Sequence, residues 1–219
     1  MQRDRILTYR LRGTRITEAQ EAALKAHWKK YGLPNAVALN LDEIFPTYKT
    51  RIMEIGFGMG EATAILAKEF PETAFLGVEV HRPGVGKLCA SLEANGSENV
   101  RILHNDVIDV IKEQLAKNSL DGVHIFFPDP WQKKRHIKRR LLTPEFLKLI
   151  HPKLKVGGFI HIATDWVPYA EFALKSFAQV SALYEGSEVE RPSWRPITRF
   201  EGQGLNKDHR VTDMRFIKK

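Results

Sequence analysis

The 219-residue sequence predicts an α/β fold: a mostly parallel sheet with helices on both faces. Three observations carry that expectation. From residue 50 onward, short runs rich in Ile, Val and Phe alternate with amphipathic stretches of roughly ten to fifteen residues, the pattern of strand–helix units joined by right-handed crossovers. Turn-forming glycines and prolines punctuate the series, as at Gly56, Gly58 and Gly60, at Pro71 and at Asn95-Gly96. Internal repeats, low-complexity tracts and composition breaks are missing, so residues 1–219 read as one domain with an Arg-rich arm over 1–16.

The arm holds Arg3, Arg5, Arg10, Arg12 and Arg15 without apolar periodicity, so it reads as a disordered tail or as a segment ordered late or by a partner. Thr17 and Gln20 form a capping box opening a helix over 18–30, which Gly32 and Pro34 end. Residues 39–45 are a loop or short helix. Residues 51–55 are the first strand, followed by Gly56, Gly58 and Gly60. A helix over 61–70 then presents Ala62, Ile65 and Leu66 on one face and is closed by Pro71. Strand 74–80 comes next, then a helix over 83–94 stopped by Asn95-Gly96. Strand 100–103 leads into a helix over 107–115, and strand 122–127 follows. Thr143-Pro144-Glu145 starts a helix with an N-cap, a first-turn proline and an acid at the positive dipole end. Gly157-Gly158 precede a strand over 159–163. A helix over 168–180 and a last strand over 211–217 complete the series.

Composition narrows the function. A hydrophobic content of 43% supports a core, and no apolar run approaches the roughly 20 residues needed to span a membrane. The polar N-terminus has no apolar signal segment. Cys89 is the only cysteine, which excludes an intrachain disulfide and a cysteine zinc site, and the eight histidines show no ligand spacing. The expectations are a cytoplasmic protein without a metal or a membrane partner. A net charge of +8 points to a polyanionic partner.

The densest chemistry lies in 126–140. The apolar run stops at Asp129, held between Pro128 and Pro130; Trp131 follows, then a block containing Lys133, Lys134, Arg135, His136, Ile137, Lys138, Arg139 and Arg140. Each proline turns the preceding residue away from helix, so Phe127 and Asp129 are extended or turning. Asp129 then sits at the carboxyl end of a strand, the sheet edge where ligands bind, and the basic block lies in solvent beside it. Taken singly, these features read as a strand-ending turn, a core or lid tryptophan and a solvated charged face. Together they point to chemistry on a base within a polyanion.

Upstream, Glu54-Ile55-Gly56-Phe57-Gly58-Met59-Gly60 joins the first strand to the first helix. The dinucleotide fingerprint places its third glycine where Glu61 stands, and a carboxylate there suits no pyrophosphate. An acid followed by three alternating glycines is instead the pattern of S-adenosylmethionine binding. Glu79 ends the second strand at the spacing of a ribose-binding acid, and Asn105-Asp106 end the third, where an adenine amino group needs an acceptor. Singly, each acid also reads as an N-cap or turn residue.

With these pieces placed, the chain resembles the bacterial single-chain tRNA (guanine-N7-)-methyltransferases over nearly its whole length. The resemblance rests on the 54–60 loop, on Phe127-Pro128-Asp129-Pro130-Trp131 with the basic block, on Ala163-Thr164-Asp165-Trp166, and on Arg195-Pro196-Ile197-Thr198-Arg199-Phe200-Glu201. It implies the Rossmann-like class I methyltransferase fold, a mostly parallel seven-stranded sheet with an antiparallel last strand. It also implies methyl transfer from S-adenosyl-L-methionine to N7 of guanosine 46 in the tRNA variable loop. By this resemblance Glu54, Gly56, Gly58, Gly60, Glu79, Asn105, Asp106 and Asp129 bind the cofactor, with Asp129 catalytic. Lys133, Asp165, Thr198, Arg199, Phe200 and Glu201 contact the guanosine, and 135–140 touches RNA. The partner is tRNA, with no obligatory protein partner, for a monomer or homodimer. Trp131, Trp166 and Phe200 are candidates to stack on the base or the cofactor. Two alternatives stay open: a methyltransferase for another RNA site or a small molecule, and an RNA-binding protein with an inactive nucleoside pocket.

Overall fold

The computed structural model describes residues 5–10, 15–197, 201 and 210–219. Helix α1 (Glu18–Tyr31) opens on the expected capping box: Thr17 Oγ accepts from the Gln20 amide and Gln20 Oε1 accepts from the Thr17 amide. The short helix α2 (Leu41–Ile44) follows. Strand β1 (Thr50–Ile55) then begins the alternating series, with α3 (Glu61–Glu69), β2 (Thr73–Val78), α4 (Arg82–Asn95), β3 (Val100–Leu103), α5 (Val107–Asp109), β4 (Leu120–Phe126), α6 (Pro144–Ile150), β5 (Leu154–Thr164), α7 (Val167–Ala178), β6 (Tyr184–Val189) and β7 (Thr212–Lys218).

The seven strands lie in the order β3-β2-β1-β4-β5-β7-β6. The first five are mutually parallel, and β7 enters antiparallel between β5 and β6. The expected mostly parallel sheet with an antiparallel last strand is therefore present. Leu24, Leu66, Leu88 and Leu92 from α1, α3 and α4 form the core on one face. Leu41, Phe146, Leu147, Ala173 and Phe177 from α2, α6 and α7 cover the other.

Three elements differ from expectation. Strand β6 went unread because five of its six residues are exposed, so it carries no buried run. The helix expected over 107–115 is one α-turn followed by a π-helical turn over Val110–Gln114. Strand β5 begins before Gly157-Gly158; those glycines form an irregularity within it, where the pairing with β4 jumps from Leu120↔Leu154 to Gly122↔Phe159.

Candidate active site

Because β1 to β5 run parallel, their carboxyl ends share one edge, and the loops leaving that edge build a cavity of about 460 Å³. Gly56, Gly58, Glu79, Asn105, Asp106 and Asp129 all line it, so six of the expected cofactor residues converge from four strand ends. Gly56 and Gly58 have φ of 71° and 57°, a left-handed backbone that side chains disfavour. Gly84 on α4 lies so near that a Cβ there would stand 1.8 Å from the Gly58 carbonyl oxygen. The loop is thus wedged against α4.

The Glu79 carboxylate is fixed by backbone. Oε2 accepts from the Gly58 amide at 2.7 Å, and Oε1 accepts from the amides of Val80 at 2.6 Å and His81 at 2.9 Å. Asp106 caps α5 by accepting from the Ile108 amide at 2.9 Å, and its other oxygen meets Arg5 Nη2 at 2.8 Å. Arg5 also pairs with Asp109 at 2.7 Å. The Arg-rich arm therefore reaches the cavity edge, and Thr8, Tyr9 and Arg10 form part of its wall. Arg5 and Asp109 stand 104 residues apart, and no spacing signal links them.

Two expected cofactor residues stand behind the wall. Gly60 caps α3 in the left-handed region and does not line the cavity. Glu54 is buried beneath the loop, where one carboxylate oxygen accepts from the Thr63 hydroxyl at 2.8 Å. In this structure Glu54 supports the loop rather than facing the cavity. Burial pushes its carboxyl up to about 7, with Thr63 opposing and Glu79 adding to the rise. The folded value exceeds the ordinary 4.5, so the stabilising protonated state is fully present below about 4.5 and lost as pH rises through about 7. Glu54→Gln is expected to flatten the decline in melting temperature across that window; an unchanged slope in thermal scans would show that Glu54 does not titrate there.

Asp129 is exposed at the cavity mouth. Its turn is bounded by two strained aromatics: Phe127 and Trp131 have φ of 50° and 43°, a conformation costing about 1–3 kcal/mol each for a bulky side chain. Phe127 is held by its amide, which donates to the Ala163 carbonyl on β5 at 2.8 Å. Trp131 is buried, with its indole N–H donating to the Thr8 carbonyl at 2.9 Å. Trp131 thus ties down the arm rather than standing open as a stacking platform. Trp166 is half-buried against the core; it does not line the cavity, whereas Phe127 does.

The basic block forms a 3-10 helix over Lys134–Arg139. Lys133, Lys134, Arg135 and Lys138 are exposed, while His136, Ile137 and Arg139 are half-buried. Arg139 lies over the Trp131 ring at 5.2 Å. Arg140 corrects the expectation that the whole block lies in solvent. It is buried, donating from Nε to the Pro130 carbonyl at 2.9 Å and from Nη1 to the Pro168 carbonyl at 3.3 Å. Its guanidinium braces the Asp129 turn against α7.

Of the expected guanosine contacts, Lys133 is exposed beside the turn and Asp165 is half-buried at the end of β5, outside the cavity wall. Thr198, Arg199 and Phe200 lie outside the described residues. Glu201 is buried, its carboxylate oxygens accepting from Arg195 at 2.7 and 2.9 Å.

The cavity suits S-adenosylmethionine. It offers carboxylates for ribose hydroxyls and a sulfonium, and glycines over which a ligand can approach the backbone. A family model described as "Putative methyltransferase" matches residues 49–214. A tRNA (guanine-N(7)-)-methyltransferase of Streptomyces avermitilis is 46% identical over 217 residues, covering 97% of this chain and 75% of that protein. One from Methylobacillus flagellatus is 44% identical over 218 residues, covering 98% and 92%. Among solved structures, the 16S rRNA methyltransferase KamB superposes with a TM-score of 0.60 at 15% identity, covering 82% of this chain and 93% of that one, a likeness of fold. Sequence, sheet order and cavity agree, and the chain belongs to the tRNA (guanine-N(7)-)-methyltransferase family.

Proposed function

We propose that this protein transfers the methyl group of S-adenosyl-L-methionine to N7 of guanosine 46 in the variable loop of tRNA, in the cytoplasm. The observation that carries the reading is the convergence of Glu79, Asn105, Asp106 and Asp129 on one cavity whose mouth continues into an exposed basic helix.

Bound S-adenosylmethionine supplies an electrophilic methyl on a sulfonium. Guanine N7 carries a lone pair and no proton, so no residue must act as a general base. What the chain provides is alignment and electrostatics. Glu79, locked by three amides, meets the ribose hydroxyls with a preset orientation. Asn105 and Asp106 form the far wall, where the adenine edge needs acceptors. Asp129 places a negative charge where positive charge builds on the purine. Lys133 meets the guanosine, Lys134, Arg135 and Lys138 hold phosphates, and N7, deep in the major groove of an A-form helix, requires a locally opened loop.

Incubation with labelled cofactor and unmodified tRNA transcript, followed by cleavage specific for N7-methylguanosine, tests the reading. One labelled variable-loop guanosine is the expected product; label at another site overturns the position. The inward turn of Arg140 gives a second test. Lys138→Ala is expected to weaken tRNA binding and to reduce the slope of log K against log salt by about 1. Arg140→Ala is expected to leave that slope unchanged while lowering the melting temperature. Equal slope changes in both variants would put Arg140 on RNA after all.

A further inference from the structure

Arg195 is fully buried at the end of the sheet, on the segment that joins β6 to β7. Its guanidinium holds two carboxylates: Nε and Nη2 donate to Asp213 at 2.8 and 2.9 Å, and Nη1 and Nη2 donate to Glu201 at 2.7 and 2.9 Å. Asp213 also meets His161 Nε2 at 2.8 Å. The same guanidinium lies over the Phe127 ring, 5.7 Å from its centroid. Phe127 is the strained residue that begins the Asp129 turn. Ala163, whose carbonyl receives the Phe127 amide, is the residue paired with Asp213 across β5 and β7.

We propose that Arg195 is a positioning residue for methyl transfer, setting the Asp129 turn through Phe127. Two physical arguments support this. A guanidinium buried between two carboxylates is costly to assemble and needs its full set of bonds to be tolerated. Hydrophobic residues of similar volume would fill such a site without that demand, so the ionic arrangement fits a need for exact placement better than a need for stability. The planar fork has one orientation that satisfies both Asp213 and Glu201, and that orientation also sets the face it turns to Phe127. A left-handed aromatic relaxes unless neighbours restrain it. Arg195 on the ring and Ala163 on the amide supply restraint from two sides. Arg195 itself does not line the cavity, so its effect reaches the chemistry through the turn.

The inference rests on the reading that Asp129 serves the transfer, and the experiment separates the two. Arg195→Lys keeps the charge but loses the fork. Its cofactor affinity by calorimetry and its KM for tRNA are expected to stay within about threefold, while kcat falls by about 10- to 100-fold, the scale of a 1 Å misplacement. Conversely, kcat equal to wild type per folded molecule, or losses of cofactor and tRNA affinity as large as the loss in kcat, would overturn the positioning role. Asp129→Ala in the same assay checks the underlying reading: full turnover there removes the role of the turn itself, whereas an inactive Asp129→Ala beside a fully active Arg195→Lys removes only that of Arg195. Should Arg195→Lys fail to fold, Asp213→Asn loosens the same guanidinium by weakening one of its two carboxylate partners. A selective fall in kcat is expected again, and an unchanged kcat defeats the proposal.

Discussion

Asp129→Ala is expected to lower kcat for methyl transfer to tRNA by about 100- to 1000-fold, the scale for removing one electrostatic stabiliser from a preorganised site. The carboxylate stands at the cavity mouth on a turn braced by Arg140 from below and by the Ala163 carbonyl from β5. Because the carboxylate is exposed, the melting temperature should hold within the small range of surface substitutions. Asp129→Asn resolves what the carboxylate does. A role in balancing positive charge on the purine predicts that Asn is nearly as damaging as Ala, with KM for tRNA unchanged. A role in gripping the N1–H and N2–H edge predicts that the Asn carbonyl rescues part of the activity and that KM responds. Full activity in both variants would detach the proline-flanked acid from the reaction.

The second large effect is expected at Gly84, a position with no direct part in the chemistry. An added methyl would stand 1.8 Å from the Gly58 carbonyl oxygen and 2.8 Å from its carbon, both backbone atoms that no rotamer change can move aside. Gly84→Ala must therefore push the glycine loop away from α4 or tilt α4 away from the sheet. Overpacking of this kind costs about 1–3 kcal/mol. Displacement of Gly58 also withdraws the amide that holds Glu79 Oε2. We expect cofactor affinity to fall at least about tenfold, the equivalent of one such bond at about 1.4 kcal/mol, with tRNA binding little changed. Calorimetric titration with S-adenosylhomocysteine measures the first and gel shift the second. An unaltered cofactor affinity would mean that the loop moves without disturbing Glu79.

These effects separate what could be read from the linear chain from what could not. The strand–helix alternation and the convergence of acids were legible because both follow from local signals. Period and turn residues place each strand, and parallel strands bring their carboxyl ends to one edge, so Gly56, Gly58, Glu79, Asn105, Asp106 and Asp129 had to meet. Strand β6 was illegible because its exposed residues leave no hydrophobic period. The helix after β3 changes to a π-turn over Val110–Gln114, and apolar spacing cannot distinguish an α-turn from a π-turn.

By itself, then, the sequence determined the fold class, the position of the ligand-binding edge and the joining of a basic block to Asp129. The tertiary structure alone decided which of those residues face the cavity. Glu54 went behind the loop to meet Thr63, Arg140 turned inward to two carbonyls, Trp131 took the Thr8 carbonyl, and Arg5 crossed to Asp106. The physical reason is the same in each case. A side chain's orientation is set by partners far away in sequence, whether a buried polar group that must be paired or a charge that must be met, and the partner's place exists only once the chain has folded.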